Sequence, residues 1–170
     1  MASVYLLTGK PGTGKTTVIR QALAGAAVKA GGFYTHEIRS GGNRLGFRIV
    51  TLDGKEAVLS HVDNRSRYRV GKYGVDISNL DGIAVAAIER ALEESDLIVI
   101  DEIGKMELLS TRFREAVLKA MDSGRKVLGT IMLAPHPFAD EIKRRPEVRV
   151  LEVTRSNQQQ VLKEITDWLE

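Results

Sequence analysis

The chain has 170 residues, 43% of them hydrophobic and 28% charged, which fits one domain with a sizeable core and excludes a largely disordered chain. It has no cysteine, so disulfide scaffolding, thiol catalysis and Cys-ligated zinc are excluded together. A formal net charge of +3 leans toward anionic partners without separating a nucleotide from a nucleic acid. No apolar run approaches the roughly 18–20 residues of a membrane span, and Met1–Thr8 runs into a glycine-rich loop instead of reading as a cleaved signal peptide. The expectation is a cytoplasmic protein with no membrane partner.

Val4–Thr8 reads as a short buried strand, followed by a glycine-rich loop and a helix over Thr16–Lys29. Strand, glycine loop and helix open a nucleotide-binding α/β unit. Phe33–Arg39, Leu45–Leu52 and Glu56–Ser60 are β-rich, with Gly41-Gly42-Asn43 and Asp53-Gly54 between them. Those separators predict hairpins, hence an antiparallel meander inserted after the first helix. Residues 62–77 are basic and aromatic and read as a loop.

Ser78 and Asp81 suggest a cap ahead of a helix over Ile83–Glu94. Leu97–Ile100 reads as a buried parallel strand closed by Asp101-Glu102. A helix follows over Ser110–Asp122, then a strand over Lys126–Met132, a short helix over Ala139–Arg144 and a last strand over Arg149–Val153. Ser156 and Gln159 are placed to cap a final amphipathic helix carrying Val161, Leu162, Ile165, Trp168 and Leu169 on one side. With no repeat or linker, residues 1–170 form one domain.

The loop Gly9-Lys10-Pro11-Gly12-Thr13-Gly14-Lys15-Thr16 satisfies G-x-x-x-x-G-K-[ST] in full. Its glycines let backbone N–H groups turn toward phosphate oxygens, and the helix that follows adds its positive end. Lys15 is expected to neutralise the β- and γ-phosphates, and the Thr16 hydroxyl to ligate Mg²⁺. Lys10, inside the variable part of the loop, either touches phosphate or faces solvent.

Phosphoryl transfer also needs a carboxylate for Mg²⁺ and a group that orients or deprotonates the nucleophile. Asp101 is read as the metal carboxylate and Glu102 as the base that activates water, which favours hydrolysis over transfer to a second substrate. Asp101-Glu102-Ile103-Gly104 also spells D-x-x-G, a switch motif of GTPases. The guanine-reading tetrapeptide [NT]-K-x-D occurs nowhere in the chain, so guanine selectivity has no carrier.

Thr130 ends the following strand and is either a γ-phosphate sensor or an ordinary strand-end threonine. Lys105 is a candidate for stabilising transition-state charge. The cluster Arg65, Arg67, Tyr68, Arg69, Lys72 and Tyr73 suits a phosphate-facing lid, a base-stacking edge, a nucleic-acid patch or a solvated loop. Lys143-Arg144-Arg145 reads as a solvated helix end. His36, His61 and His136 lack metal-ligand spacing, and each reads as surface or locally hydrogen-bonded.

Taken in order, GKPGTGKTT (Gly9–Thr17), GFYTHEIR (Gly32–Arg39), RLGFRIVT (Arg44–Thr51), YRVGKYGVD (Tyr68–Asp76) and IVIDEIGKMEL (Ile98–Leu108) resemble the small nucleoside-triphosphatase family that includes the cancer-related nucleoside-triphosphatase. Gly129–Ile131 and Glu141–Arg144 extend the resemblance, which covers essentially the whole chain. It implies an α/β P-loop NTPase three-layer fold with a mainly parallel central sheet, of the class with an extra strand between the two nucleotide-site strands. The implied activity is Mg²⁺-dependent hydrolysis of ATP, GTP, CTP, UTP and TTP to diphosphate and phosphate. Two nucleotide-binding segments are implied, Gly9–Thr16 and Ile98–Lys105, and the second strengthens the candidacy of Lys105.

The reading is a monomeric, Mg²⁺-dependent nucleoside-triphosphatase of broad base specificity. Two alternatives remain, a nucleoside or nucleotide kinase and a nucleic-acid-associated regulatory ATPase. A nucleic-acid partner is compatible with the Arg65–Tyr73 segment but is not favoured.

Overall fold

Side chains along the central parallel strands alternate between two core clusters, which defines three layers. The computed structural model describes residues 2–170. In β1 (Val4–Thr8), Val4 and Leu6 join one core cluster while Tyr5 and Leu7 join another. A strand buried on both faces must lie between helical layers. One layer is α1 (Lys15–Ala24) with the C-terminal helix Gln158–Leu169, which supply Val18, Ile19, Val161, Ile165 and Trp168 to one cluster. The other cluster gathers Ile88, Phe113, Val117 and Met121 from the helices that cover the opposite face.

The sheet is built from β1, β2 (Ala30–Ser40), β3 (Asn43–Thr51), β4 (Glu56–His61), β5 (Arg69–Val70), β6 (Tyr73–Val75), β7 (Leu97–Ile103), β8 (Lys126–Ile131) and β9 (Val148–Glu152). Its spatial order is β5-β6-β4-β3-β2-β7-β8-β1-β9. From β2 through β7, β8 and β1 to β9 every pair is parallel. From β2 outward through β3, β4, β6 and β5 every pair is antiparallel. The sheet is therefore mixed, and the expectation of a mainly parallel one does not hold. The meander is no separate insertion, because β2 pairs with β7 on one edge and β3 on the other.

Residues 62–77, expected as a loop, hold the short strands β5 and β6, which join the sheet through Ser60 and His61 of β4. Their cations are partly spent inside this hairpin: Arg69 donates to the carbonyls of Asn64 and Lys72, and the Arg67 guanidinium lies 4.9 Å from the Tyr68 ring centre. Helix α1 stops at Ala24, where Gly25 caps it. The chain then extends, because Lys29 O accepts the N–H groups of Asp96 and Leu97.

Asp76, not Ser78, caps the next helical segment, its carboxylate accepting the Asn79 N–H at 2.8 Å. That segment runs from α2 (Ile77–Asn79) through a π-helical stretch, Leu80–Val85, into α3 (Ala86–Glu94). Asp81, expected in the cap, instead accepts the hydroxyl of Ser110. Ser110 caps α4 (Thr111–Asp122) by accepting the Phe113 N–H at 3.0 Å, a contact worth about 1 kcal/mol.

His136 caps α5 (Pro137–Lys143), with proline in its first turn. Asn157 precedes α6 (Gln158–Leu169), displacing the expected Ser156–Gln159 pair. Trp168 is core, stacked at 4.5 Å on Tyr5. Arg145 pairs with Glu147 and Asp122 beyond the end of α5. No helix among the described residues is long and apolar enough to cross a membrane.

Candidate active site

The loop between β1 and α1 is shaped by its glycines. Gly9, Gly12 and Gly14 have φ of 145°, 78° and 90°, a region that side chains disfavour. A Cβ on Gly9 would stand 2.5 Å from the Val153 carbonyl oxygen, so the start of the loop is pressed against the end of β9. Thr13 turns its hydroxyl onto the Lys10 carbonyl at 2.9 Å. The Lys15 ammonium folds over the loop, donating to the carbonyls of Gly9 at 2.8 Å and Lys10 at 3.1 Å.

The second half of the site comes from β7, two strands away across β8. The strand does not end at Ile100 as the sequence suggests but continues to Ile103. Ile100 is opposite Gly129 and Ile103 opposite Ile131, so three steps along β7 match two along β8. This is a β-bulge, the kind of irregularity that re-aims side chains. In a regular pleat adjacent residues face opposite sides; with the bulge, Asp101 and Glu102 both border one cavity.

Asp101 is buried, at 3% exposure, yet both carboxylate oxygens are engaged. Oδ2 accepts the Thr16 hydroxyl at 2.6 Å and Oδ1 accepts the Thr130 hydroxyl at 2.7 Å. Burial raises the Asp101 carboxyl above its ordinary range, and these two hydrogen bonds pull against that rise. Glu102 is raised by burial and by the charge of Asp101, with Lys15 opposing. A Cβ on Gly104 would come 2.6 Å from Glu102 Oε1, so Gly104 leaves room for that carboxylate.

These groups line a cavity of about 540 Å³. Gly9, Lys10, Pro11, Gly12, Gly14, Lys15 and Thr16 form one wall and Asp101, Glu102 and Thr130 the floor. Thr13 backs the loop from behind. Ile98, Val99, Ile100 and Ile103 of the expected second segment are fully buried among core side chains and do not border the cavity. Lys105 is exposed on the turn after β7 and contributes nothing to the wall, so the structure does not bring it to the site.

Sequence reasoning missed the opposite wall, made by Thr35 and Glu37 of β2, Arg44 and Phe47 of β3, and Met132, Leu133 and Ala134 after β8. The alternation of β2 placed Thr35 and Glu37 on one face, but nothing in the chain announces that the face covers the phosphate loop. Gln158, the first residue of α6, was also missed: its Nε2 donates to the Thr13 carbonyl at 2.5 Å. So was Glu107, a carboxyl buried in the turn after β7 and raised well above its ordinary range by burial and by Glu102.

The Thr16 hydroxyl and an Asp101 carboxylate oxygen converge as hard oxygen donors in a cavity that Lys15 and Glu102 also line. This set suits Mg²⁺, which takes one or two protein oxygens and completes its shell with water and phosphate.

Residues 4–166 match the model of the family described as NTPase. The chain is 51% identical over 160 residues to nucleoside-triphosphatase THEP1 of Thermotoga sp. (strain RQ2), covering 94% of this chain and 91% of that protein. It is 40% identical over 181 residues to the human cancer-related nucleoside-triphosphatase, covering 97% and 95% respectively. The crystal structure of THEP1 from the hyperthermophile Aquifex aeolicus superposes with a TM-score of 0.90 at 38% identity, over 98% of this chain and 99% of that one.

Proposed function

This chain belongs to the NTPase family and is a nucleoside-triphosphatase; we propose that it uses Mg²⁺ to hydrolyse ATP, GTP, CTP, UTP and TTP alike to diphosphate and phosphate. The observation that carries this reading is the Asp101 carboxylate, which receives the Thr16 hydroxyl of the phosphate loop while its neighbour Glu102 borders the same cavity. Thr16 and Asp101 would hold the metal, which would neutralise phosphate charge there. Lys15 binds the phosphates, and the loop's backbone N–H groups orient them. Glu102 takes a proton from the attacking water, and burial suits it to that work by bringing its proton affinity closer to neutral pH.

Thr130 fixes the second Asp101 oxygen and so keeps the first directed at Thr16. Broad base use is supported by the absence of an [NT]-K-x-D tetrapeptide anywhere in the sequence. The fold assignment that goes with this reading is the P-loop NTPase fold of the extra-strand class. Its support is β8 lying between β1, which leads into the phosphate loop, and β7, which carries the carboxylates.

The experiment is phosphate release from ATP, GTP, CTP and UTP with and without Mg²⁺, for the natural chain and Glu102→Gln. Similar Mg²⁺-dependent release from all four, lost in the variant while nucleotide still binds, is the expected result. Release from one nucleotide alone would overturn the broad specificity. Transfer of the γ-phosphate to a nucleoside in place of water would overturn hydrolysis.

A further inference from the structure

Hydrolysis puts charge on the γ-phosphate oxygens that the phosphate loop alone does not neutralise, and the arrangement of β2 and β3 brings a cation, Arg44, to the cavity that the loop and the carboxylates line. Of the eleven residues of β2, only Ala30–Phe33 pair with β7. The remainder, paired with β3 alone, runs on past Ile100 as a projecting hairpin. Because β2 is the direct neighbour of β7 and lies on the far side of it from β1, the hairpin projects from the β7 side of the site, and its Glu37, Arg44 and Phe47 share one cavity with Glu102.

Arg44 lies on the cavity-facing side of this hairpin, and it is the one arginine among the described residues that line the cavity. It is held from three directions. Nε donates to the Tyr73 hydroxyl at 2.9 Å, Nη1 reaches Glu37 Oε1 at 3.4 Å, and the guanidinium lies 5.0 Å from the Phe47 ring centre. A planar guanidinium stacked and hydrogen-bonded in this way is pre-organised for phosphate oxygens. Nη2 makes no hydrogen bond within the described residues, which leaves it as the donor for a ligand.

We propose that Arg44 is a catalytic residue, an in-chain arginine that contacts the γ-phosphate and stabilises its transition-state charge, with Glu37 and Tyr73 as its positioning residues. This takes over the role that spacing alone suggests for Lys105. It rests on the hydrolase reading of the site. No covalent step is added: water attacks phosphorus, the bond to the β-phosphate oxygen breaks, and Arg44 only holds charge.

The test compares the natural chain with Arg44→Ala and Arg44→Lys by steady-state hydrolysis, thermal melting, ADP affinity and trapping of ADP with fluoroaluminate, a mimic of the transferred phosphoryl group. Arg44→Ala is expected to lower kcat by about 10²–10³-fold, to lose the fluoroaluminate complex, and to keep ADP affinity within about threefold. ADP is the control because it lacks the γ-phosphate.

A kcat within about threefold of the natural chain, or an ADP affinity that falls as far as kcat, overturns the proposal. Should Arg44→Ala melt too low to assay, Arg44→Lys decides. It keeps the charge but not the planar fork, so a loss of about tenfold or more in kcat at an unchanged melting temperature is expected, and an unchanged kcat overturns the role. A natural chain that releases no phosphate overturns the hydrolase reading itself. An active natural chain with an equally active Arg44→Ala overturns Arg44 alone.

Discussion

The Thr16 hydroxyl donates to Asp101 Oδ2 at 2.6 Å, joining the first turn of α1, which follows β1, to the bulge of β7 across the intervening strand β8. Asp101 is buried and Thr16 half-buried, and Thr130 takes the other oxygen of the same carboxylate. The pair is therefore held by the chain's own groups, with an oxygen from each side of the site facing the other.

Asp101→Asn tests that arrangement directly. Asparagine keeps the shape and an acceptor for one hydroxyl but removes the charge that holds a hard cation. The Mg²⁺ concentration for half-maximal phosphate release is expected to rise by about tenfold or more, a change of about 1.4 kcal/mol in metal binding. A metal titration at fixed nucleotide measures it, and an unchanged midpoint would remove Asp101 from the metal.

Glu102→Gln separates chemistry from binding. General-base catalysis contributes about 10²–10⁴-fold, so kcat should fall within that range while affinity for a non-hydrolysable triphosphate stays within about threefold. Single-turnover phosphate release and equilibrium nucleotide binding on the same preparation give the two numbers. Retained turnover would move the base elsewhere in the cavity.

The legibility of this site in the sequence follows the range of the interactions that make it. The phosphate loop is local, and a continuous run from Gly9 to Thr16 carries both its glycines and its lysine. Asp101 and Glu102 were found because an apolar strand ends near an acidic pair, although the strand in fact continues to Ile103. The bulge that points both carboxylates into one cavity is a mismatch of count between two strands, which no single segment encodes.

The wall from Thr35, Glu37, Arg44 and Phe47 depends on which strand β2 pairs with, and that partner is far off in the chain. The strands β5 and β6 were missed for a different reason. At two and three residues they are too short for alternation to show against their basic and aromatic composition.

Gln158 offers a test of the contact that sequence did not reveal. Its amide donates to the Thr13 carbonyl at 2.5 Å and ties the start of α6 to the loop beside Gly14. Loss of one such hydrogen bond costs about 1 kcal/mol, so Gln158→Ala should raise KM for nucleotide by about fivefold. The carboxylates are untouched, and kcat should change by less than about twofold. A fall in kcat with unchanged KM would mean that the contact serves the chemistry instead of the binding surface.

Glu107 carries the pH prediction. Its carboxyl is 3% exposed and is raised well above 4.5, first by burial and then by the charge of Glu102. An acid whose folded-state value is raised binds its proton more tightly when folded, so the folded chain loses stability relative to the unfolded one as pH climbs above 4.5. Below that value both states hold the proton and the difference vanishes.

Glu107→Gln keeps the shape and removes the ionisation, so it is expected to melt higher than the natural chain at neutral pH. A gain of about 1 kcal/mol corresponds to roughly 2–4 °C for a chain of this size. The gap should close as pH falls toward 4.5. Melting curves of both proteins across that window measure it. A gap that stays constant with pH would assign the difference to packing, and a variant that melts lower at every pH would show that the buried carboxyl holds the turn after β7 through contacts an amide does not replace.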